Sequence, residues 1–323
     1  MVKKIFAYLE IHVLLFGILI ANRSTKNTLQ KNIFVKLNSV IFENKIPNYL
    51  LPIIFKFFRG HIPRVSKSEK IAIELFREAS KSHKSASNSK IFRKFVMNSQ
   101  NADERFWDFA AFCLDKQVLS FSKDLQDLWV LFESSGWNDL SYLEIGAGDG
   151  EWKSNCKLLQ DFGWKGISIE PNPLLVNRFE KNRTNTILNV ALVPNNSSII
   201  LEVDPKVTLF YEPGRETQGS LMPSDVKNKN FISRSVEATS IAKLRSRELI
   251  FKNFTYISID MEGGESQILA DLFHEGIRPK LITIEHNNIP QVMKTISDLM
   301  KINGYQEMFS GIGRNESFYK FFP

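Results

Sequence analysis

The chain has 323 residues, 43% of them hydrophobic, and a formal net charge of +7, which excludes a disordered polyelectrolyte and fits one large or two modest domains with proper cores. Two cysteines, Cys113 and Cys156, are too few for a disulfide framework and lack metal-ligand spacing, so a reducing compartment, the cytoplasm, is expected. The charge is uneven: residues 1–100 carry 18 Lys+Arg against 5 Asp+Glu, and the remainder carries 24 against 30.

Residues 1–120 are expected to form a mainly helical, basic N-terminal region, and residues 121–323 a separate domain. The first stretch, "MVKKIFAYLEIHVLLFGILIANRS", is interrupted by Glu10 and His12 and falls short of the roughly 18 apolar residues that span a bilayer. A buried or interfacial helix ranks above a spanning one. A second greasy basic stretch, "NYLLPIIFKFFRGHIPR", keeps peripheral membrane contact open. The polar run Lys81 to Lys90 reads as a loop or linker. Phe106, Phe109, Ala110, Cys113 and Leu114 repeat at helical spacing, as do Leu125, Leu128, Trp129 and Phe132, so two amphipathic helices are expected there, with their stripes in the core.

From Ser141 the rhythm changes. Short strands "YLEI", "KGISIE", "TILNVAL", "YISID" and "LITIEH" alternate with helical stretches "SNCKLLQDF", "LLVNRFEKN", "GESQILADLFHE" and "IPQVMKTISDLMKI". That alternation predicts an α/β domain, a parallel sheet with helices on both faces. The interval Pro194 to Asn253 breaks it, with extended pieces "SIILEV" and "VTLFYE" followed by the polar "EPGRETQGSLMPSD"; a long excursion at that position often covers a site.

The segment "YLEIGAGDGEWKSN" places Gly146, Gly148 and Gly150 between a strand and a helix, where backbone N–H groups and a ligand approach closely. A dinucleotide fingerprint needs its third glycine three positions after the second, but position 151 is Glu, and this spacing rejects the NAD reading. Glu144 in the strand and Asp149 in the turn would repel a pyrophosphate and suit a ligand bearing an ammonium and a sulfonium. Glu170 of "SIEPNP" ends the next strand 20 positions after Gly150, where a carboxylate accepts two ribose hydroxyls.

On these residues the chain resembles the FkbM family of S-adenosylmethionine-dependent class I methyltransferases. The resemblance rests on the first motif, on Gly163-Trp164-Lys165-Gly166 leading to "IEPNP", on "DMEGGESQIL" from Asp260 to Leu269, and on "TIEHN" from Thr283 to Asn287, all in the right order. Ser154 and Asn155, with Arg183 downstream, are similar to a subgroup whose first helix begins Ser-Asn-Thr, Cys156 standing here for the Thr; Gln126 and Asp127 match that subgroup's upstream pair. The resemblance implies a Rossmann-like, seven-stranded, mostly parallel sheet with one antiparallel strand, and S-adenosylmethionine as cofactor. It implies a cofactor set of Glu144, Gly146, Ala147, Gly148, Asp149, Gly150, Ser154, Asn155, Glu170 and Pro171. It also implies methylation of hydroxyl oxygens, commonly of sugars in surface polysaccharides or natural products.

Methyl transfer to a hydroxyl calls for a general base at the carboxyl ends of strands, which selects Asp260, Glu262, Glu265, Glu285 and His286. Glu265 is expected to cap the following helix. Asp260, Glu262 and His286 are the expected catalytic residues. The carboxylates at alternate positions also suit Mg²⁺ or Ca²⁺, a weak signal. The expected acceptor is a glycan or glycolipid hydroxyl. An RNA methyltransferase, supported by the positive charge but accompanied by no recognisable nucleic-acid module, and a non-catalytic scaffold with a methyltransferase-like fold are the alternatives.

Overall fold

The computed structural model describes residues 104–115, 120–202, 204–211, 221, 232–310, 312–313 and 315–323. The expected interfacial helix, the second greasy stretch, the linker at 81–90 and most of the polar run from 212 to 231 lie outside the described residues. The chain divides into two compact units, residues 1–117 and 118–323. In the first, helix α1 (Glu104–Asp115) carries the expected stripe, with Phe106, Trp107, Phe109, Ala110 and Cys113 buried. Among the described residues no helix is long and apolar enough to cross a membrane.

The second unit begins with α2 (Gln126–Glu133), then β1 (Ser141–Ile145), α3 (Lys157–Asp161), β2 (Lys165–Ile169), α4 (Pro173–Asn182), β3 (Thr186–Leu188) and β4 (Ala191–Leu192). The excursion follows: a short 3₁₀ turn Ser198–Leu201, β5 (Lys206–Tyr211), β6 (Ile232–Thr239) and α5 (Ile241–Ser246). The chain closes with β7 (Tyr256–Ile259), α6 (Glu265–His274), β8 (Leu281–Glu285), α7 (Pro290–Ile302), β9 (Tyr305–Met308) and β10 (Glu316–Phe321). Seven strands form one sheet in the order β3-β2-β1-β7-β8-β10-β9. All pairings are parallel except those of β10, which runs antiparallel to β8 and β9. This is the Rossmann-like sheet that the resemblance implies.

Three differences from the sequence reading have local causes. "SIILEV" is a 3₁₀ turn rather than a strand. "TILNVAL" splits in two, β3 staying in the large sheet and β4 joining β6 and β5 in a second, three-stranded sheet. Asn189 sits at the break, its Nδ2 donating to the carbonyls of Glu170 (2.8 Å) and Pro171 (3.0 Å). Strands β9 and β10 and helix α5 were not read at all; Ser240 caps α5, its Oγ accepting the Lys243 N–H at 3.3 Å.

The helices start where elementary signals put them. Asn172 caps α4 by accepting the Leu174 N–H (3.1 Å), and Pro173 occupies the first turn, where a missing N–H costs nothing. Glu265 stands as an acid in the first turn of α6, where it matches the helix dipole, and accepts the Gly263 N–H at 2.7 Å, bracing the turn that leads into the helix.

The two faces of the sheet differ in chemistry. Leu143, Ile145, Ile167, Ile169, Ile257, Ile259, Ile282 and Ile284 pack with residues of α5, α6 and α7 in one apolar cluster; each such side chain contributes about 1.5–3 kcal/mol when fully buried. The alternate residues, Tyr142, Glu144, Ser168, Tyr256, Ser258, Thr283 and Glu285, are equally buried but polar, and face the other side. They are satisfied mainly by one another and by residues around α3 and α4: Tyr256 Oη pairs with Thr283 Oγ1 (2.6 Å), Asn155 Nδ2 donates to Ser258 Oγ (2.9 Å), and Arg183 reaches Tyr142 and Glu144.

The Gly-Trp-x-Gly motif serves this polar face. Gly163 turns the chain out of α3 with φ +83°, Trp164 is buried, and a Cβ on Gly166 would meet the Tyr142 ring at 1.9 Å. Gly166→Ala is therefore expected to push the Tyr142 ring off its seat and destabilise the domain by about 1–3 kcal/mol. Chemical denaturation of the variant checks this, a midpoint equal to wild type being the contrary result.

Candidate active site at the carboxyl edge of the sheet

The register places five residues in one row across the carboxyl edge. Ile145 pairs with Ile169 and Ile259, and Ile259 with Ile284, so the next residues, Glu170, Gly146, Asp260 and Glu285, line up on β2, β1, β7 and β8. Glu316 of β10 stands directly opposite Glu285. Four acids thus share a row whose second position, between Glu170 and Asp260, is a glycine.

The three glycines of the turn are not equivalent. A Cβ on Gly146 would lie 1.6 Å from the Asp260 carbonyl oxygen, and one on Gly150 would meet Phe179 Cδ2 at 2.6 Å and Arg183 Cδ at 2.9 Å. Both are glycines because neighbouring protein fills the space, a different reason from the ligand approach expected of them. Gly148, with φ +58°, donates its N–H to Glu170 Oε2 at 2.9 Å. Ala147 is buried, and the N–H groups of Gly146 and Ala147 hydrogen-bond to the Ile169 carbonyl, tying the turn to β2.

Glu170 accepts two backbone N–H groups, from Gly148 and from Asn172 (2.8 Å). Burial nevertheless outweighs these bonds and pushes its carboxyl up to about 7. Pro171 follows, its carbonyl taken by Asn189.

The rest of the expected cofactor set turns inward. Glu144 spends both oxygens inside the protein, accepting Ser154 Oγ (2.8 Å) on one and Arg183 Nη1 (2.7 Å) and Ser168 Oγ (3.3 Å) on the other. Ser154 Oγ in turn accepts the N–H groups of Cys156 (3.2 Å) and Lys157 (3.0 Å), as a helix-start residue does. Asn155 is buried on β7 through Ser258. Asp149 Oδ1 accepts the N–H groups of Glu151 (3.0 Å) and Trp152 (2.8 Å), so it caps the turn. Glu144, Ser154 and Asn155 thus turn inward and, with Asp149 on the partly exposed turn, shape the loop at which the cofactor is expected.

Among the expected catalytic residues, Asp260 and Glu262 gather with Glu285, one oxygen from each lying within 4.8 Å of the others. Glu262 is held by a left-handed backbone, φ +57°, followed by Gly263 and Gly264, also at positive φ. Glu285 and Asp260 share a hydrogen bond. Burial, then the charges of Asp260 and Glu262, push Glu285 up to about 10, so it carries the proton and donates to Asp260. Burial also raises Asp260, against the Glu285 hydrogen bond and the charges of Lys123 and Lys153. Glu262 is pushed up to about 7, by burial first and by Asp260 next. A divalent cation on these three oxygens would compete with that shared proton.

His286 is placed differently from the expectation. Its Nδ1 accepts the Asn288 N–H at 3.1 Å, and burial lowers its pKa below the usual value, so the ring is a neutral, backbone-bound group at the turn after β8. Glu285, a candidate in the sequence but not among the three expected catalytic residues, is the one that joins Asp260 and Glu262.

Glu316 and Gln126 complete the row. Gln126 Nε2 donates to Glu316 Oε2, and its Oε1 accepts the Asp124 N–H at 2.8 Å. Burial, with the Asp260 charge second, pushes Glu316 up to about 8. Asp127 accepts Ser120 Oγ and Ser122 Oγ at 2.7 Å and the N–H of Phe121 at 2.8 Å, which folds the preceding segment over; Ser122 bridges to Lys153 just past the glycine turn. No sequence signal marks Glu316, because its role comes from β10 pairing with β8.

Carboxyl groups whose pKa rises on folding stabilise the fold only while they keep the proton: fully below their ordinary value of 4.5, and ever less as pH climbs through the folded value. The ligand-free protein is expected to lose thermal stability between pH 5 and about 10, and Glu285→Gln to flatten that loss, as read by differential scanning calorimetry across pH. Glu170 must be ionised to accept two hydroxyls. Affinity for S-adenosylhomocysteine is therefore expected to fall about tenfold per unit below pH 7 and level off above it, with Glu170→Gln weak at every pH, measured by titration calorimetry.

The family model for the methyltransferase FkbM domain matches residues 144–307, a span holding every expected site residue. No curated protein matches the chain. Among solved structures, the SAH-bound methyltransferase PaMTH1 of Podospora anserina is 10% identical, covering 81% of this chain and 100% of its own, with a TM-score of 0.35. The METTL16 MTase domain is 11% identical over 80% of this chain and 93% of its own, at 0.36. Likenesses at this level carry nothing about the acceptor.

Proposed function

This chain belongs to the FkbM methyltransferase family, whose model spans half of it, and from that premise we propose that it methylates a hydroxyl oxygen of a sugar in a glycan or glycolipid. Family membership makes it an S-adenosylmethionine-dependent methyltransferase; the acceptor is the inference. The residues fit that cofactor. The turn Gly146–Gly150 and the Glu170 carboxylate stand at adjacent strand ends, and the Asp260 carboxylate in the same row favours a sulfonium over a phosphate.

The observation that carries the hydroxyl reading is the Asp260–Glu285 pair beside Gly146. S-adenosylmethionine supplies a methyl group on a positively charged sulfur. The protein's share is to hold an acceptor oxygen in line with that carbon, a positioning effect that reaches effective molarities of about 10⁵ M or more. A neutral hydroxyl is a poor nucleophile, and Asp260 supplies the base. Its carboxylate accepts the hydroxyl proton as the oxygen–carbon bond forms and the carbon–sulfur bond breaks, the electron pair leaving with sulfur. The hydrogen bond from Glu285 orients Asp260 and works against the rise that burial imposes on it. Such a base contributes roughly 10²- to 10⁴-fold.

Two features favour a sugar. Trp152, two residues past Gly150, is 54% exposed with Lys153 Nζ stacked 3.8 Å from its ring centroid, and an exposed indole suits the C–H face of a sugar ring. The Asp260 carboxylate opposes an RNA backbone, which carries one negative charge per nucleotide.

Incubation with methyl-labelled S-adenosylmethionine and extracted glycans is expected to yield label as a base-stable methyl ether. Asp260→Asn should lower turnover about 10²- to 10⁴-fold while changing S-adenosylhomocysteine affinity only a few-fold. Label in RNA or in a base-labile ester, or wild-type turnover by Asp260→Asn, would overturn the reading.

A further inference from the structure

We infer that Arg183, which touches no solvent, is the positioning residue of the cofactor turn, and acts on ligand affinity through Glu144 and Ser154. The inference rests on the turn being the S-adenosylmethionine site. Arg183 follows the last residue of α4, and its side chain runs beneath the turn with a relative exposure of 0%. Direct contact with a ligand is therefore closed to it.

Its donors reach four residues on β1, on the loop after the glycine turn and on α3. Nη1 donates to Glu144 Oε2 (2.7 Å) and to Ser154 Oγ (3.0 Å), Nε to Gln160 Oε1 of α3 (2.8 Å), and Nη2 to the Tyr142 hydroxyl of β1. Glu144 and Ser154 flank the glycine turn, one before Gly146 and one after Gly150. One nitrogen therefore fixes the distance between the two ends of the loop, and Ser154 Oγ closes the triangle onto Glu144 Oε1 at 2.8 Å. The loop also rests on the aliphatic stem, since Gly150 lies so close to Arg183 Cδ that no Cβ fits between them. Phe179 stacks under the guanidinium, 4.9 Å from its ring centroid, and keeps the fork in place.

This geometry needs a planar fork. A lysine ammonium offers one charged point and can satisfy Glu144 but cannot reach Tyr142, Ser154 and Gln160 together. Arg183→Lys therefore keeps Glu144 paired, and with it the fold, but leaves the spacing of the loop ends loose. A loop free to widen no longer presents the Gly148 N–H to Glu170, whose orientation depends on that bond.

The test is calorimetric binding of S-adenosylhomocysteine to the full chain at a temperature well below unfolding, with the melting midpoint recorded for each variant. Leu269→Ala, in the apolar cluster on the opposite face of the sheet, serves as an equally destabilised control. Arg183→Lys is expected to bind at least tenfold more weakly than wild type, and Leu269→Ala within about twofold. A second variant, Arg183→Met with Glu144→Gln, removes both charges so that neither is left buried alone; it is expected to regain stability without regaining affinity. Affinity that tracks the melting midpoint across all variants, or Arg183→Lys binding as wild type does, would overturn the inference. Absence of binding by wild type would overturn the cofactor reading itself.

Discussion

The ion pair between Arg183 and Glu144 constrains this domain more than any other single contact, because it lies within a sheet face where a parallel sheet would ordinarily carry aliphatic side chains. A buried carboxylate without a partner neutralises or unfolds its surroundings. Here one guanidinium supplies the partner and also satisfies Tyr142, Ser154 and the half-buried Gln160, so that Glu144, Tyr142 and Ser154 are buried together. Removing one member of such a pair costs about 3–5 kcal/mol, while replacing both by apolar groups is often neutral. The pair is thus a poor device for stability alone. What it contributes that two leucines could not is a fixed distance between the ends of the glycine turn.

The rest of the polar face follows from that choice. Once β1 carries Tyr142 and Glu144 inward, neighbouring strands must offer small or hydrogen-bonding residues at the same level, and they do: Ser168, Ser258 and Thr283 stand in register with Glu144 or its neighbour. Gly166 is the steric counterpart, vacating the space the Tyr142 ring occupies. The opposite face carries no such obligations and is apolar, aliphatic on β1, β2, β7 and β8 with Tyr319 and Tyr305 on the antiparallel edge. Sequence features far apart, the Gly-Trp-x-Gly motif and the buried arginine, are therefore parts of one packing solution.

Much of this was legible before any coordinates, for identifiable reasons. The helix starts, the strand–helix alternation and the turn spacing are local signals, and the structure holds α3, α4, α6, α7 and the five parallel strands where those signals point. What escaped reading depends on contacts distant in sequence. The polar positions of "YLEI" and "YISID" look by alternation like solvent-facing ones; only the helices laid over them show that they are buried. Ser154 and Asn155 fall in the correct motif, yet their side chains are directed by Arg183 and Ser258, which lie 29 and 103 residues away. His286 has the right position and the wrong partner, a backbone N–H two residues on. Glu316 joins the acids only because β10 inserts antiparallel beside β8.

The acidic row at the carboxyl edge is costly for the fold. Like charges directly opposite on neighbouring strands destabilise a sheet, and Glu285 opposite Glu316 is such a pair. A sequence optimised for stability would place apolar or complementary groups there. The structure manages the conflict by keeping protons on the acids: burial and mutual repulsion raise Glu285 and Glu316 well above the ordinary carboxylate range, while Lys123 and Lys153 help Asp260 stay ionised. The result is a group of buried carboxyls at the end of the glycine turn, with Asp260 raised by burial and opposed by the Glu285 hydrogen bond and the charges of Lys123 and Lys153. A carboxylate in that setting is more basic than a solvated aspartate and has a hydrogen bond that fixes its orientation. The same burial that weakens the fold thus favours the proton-accepting role proposed for Asp260.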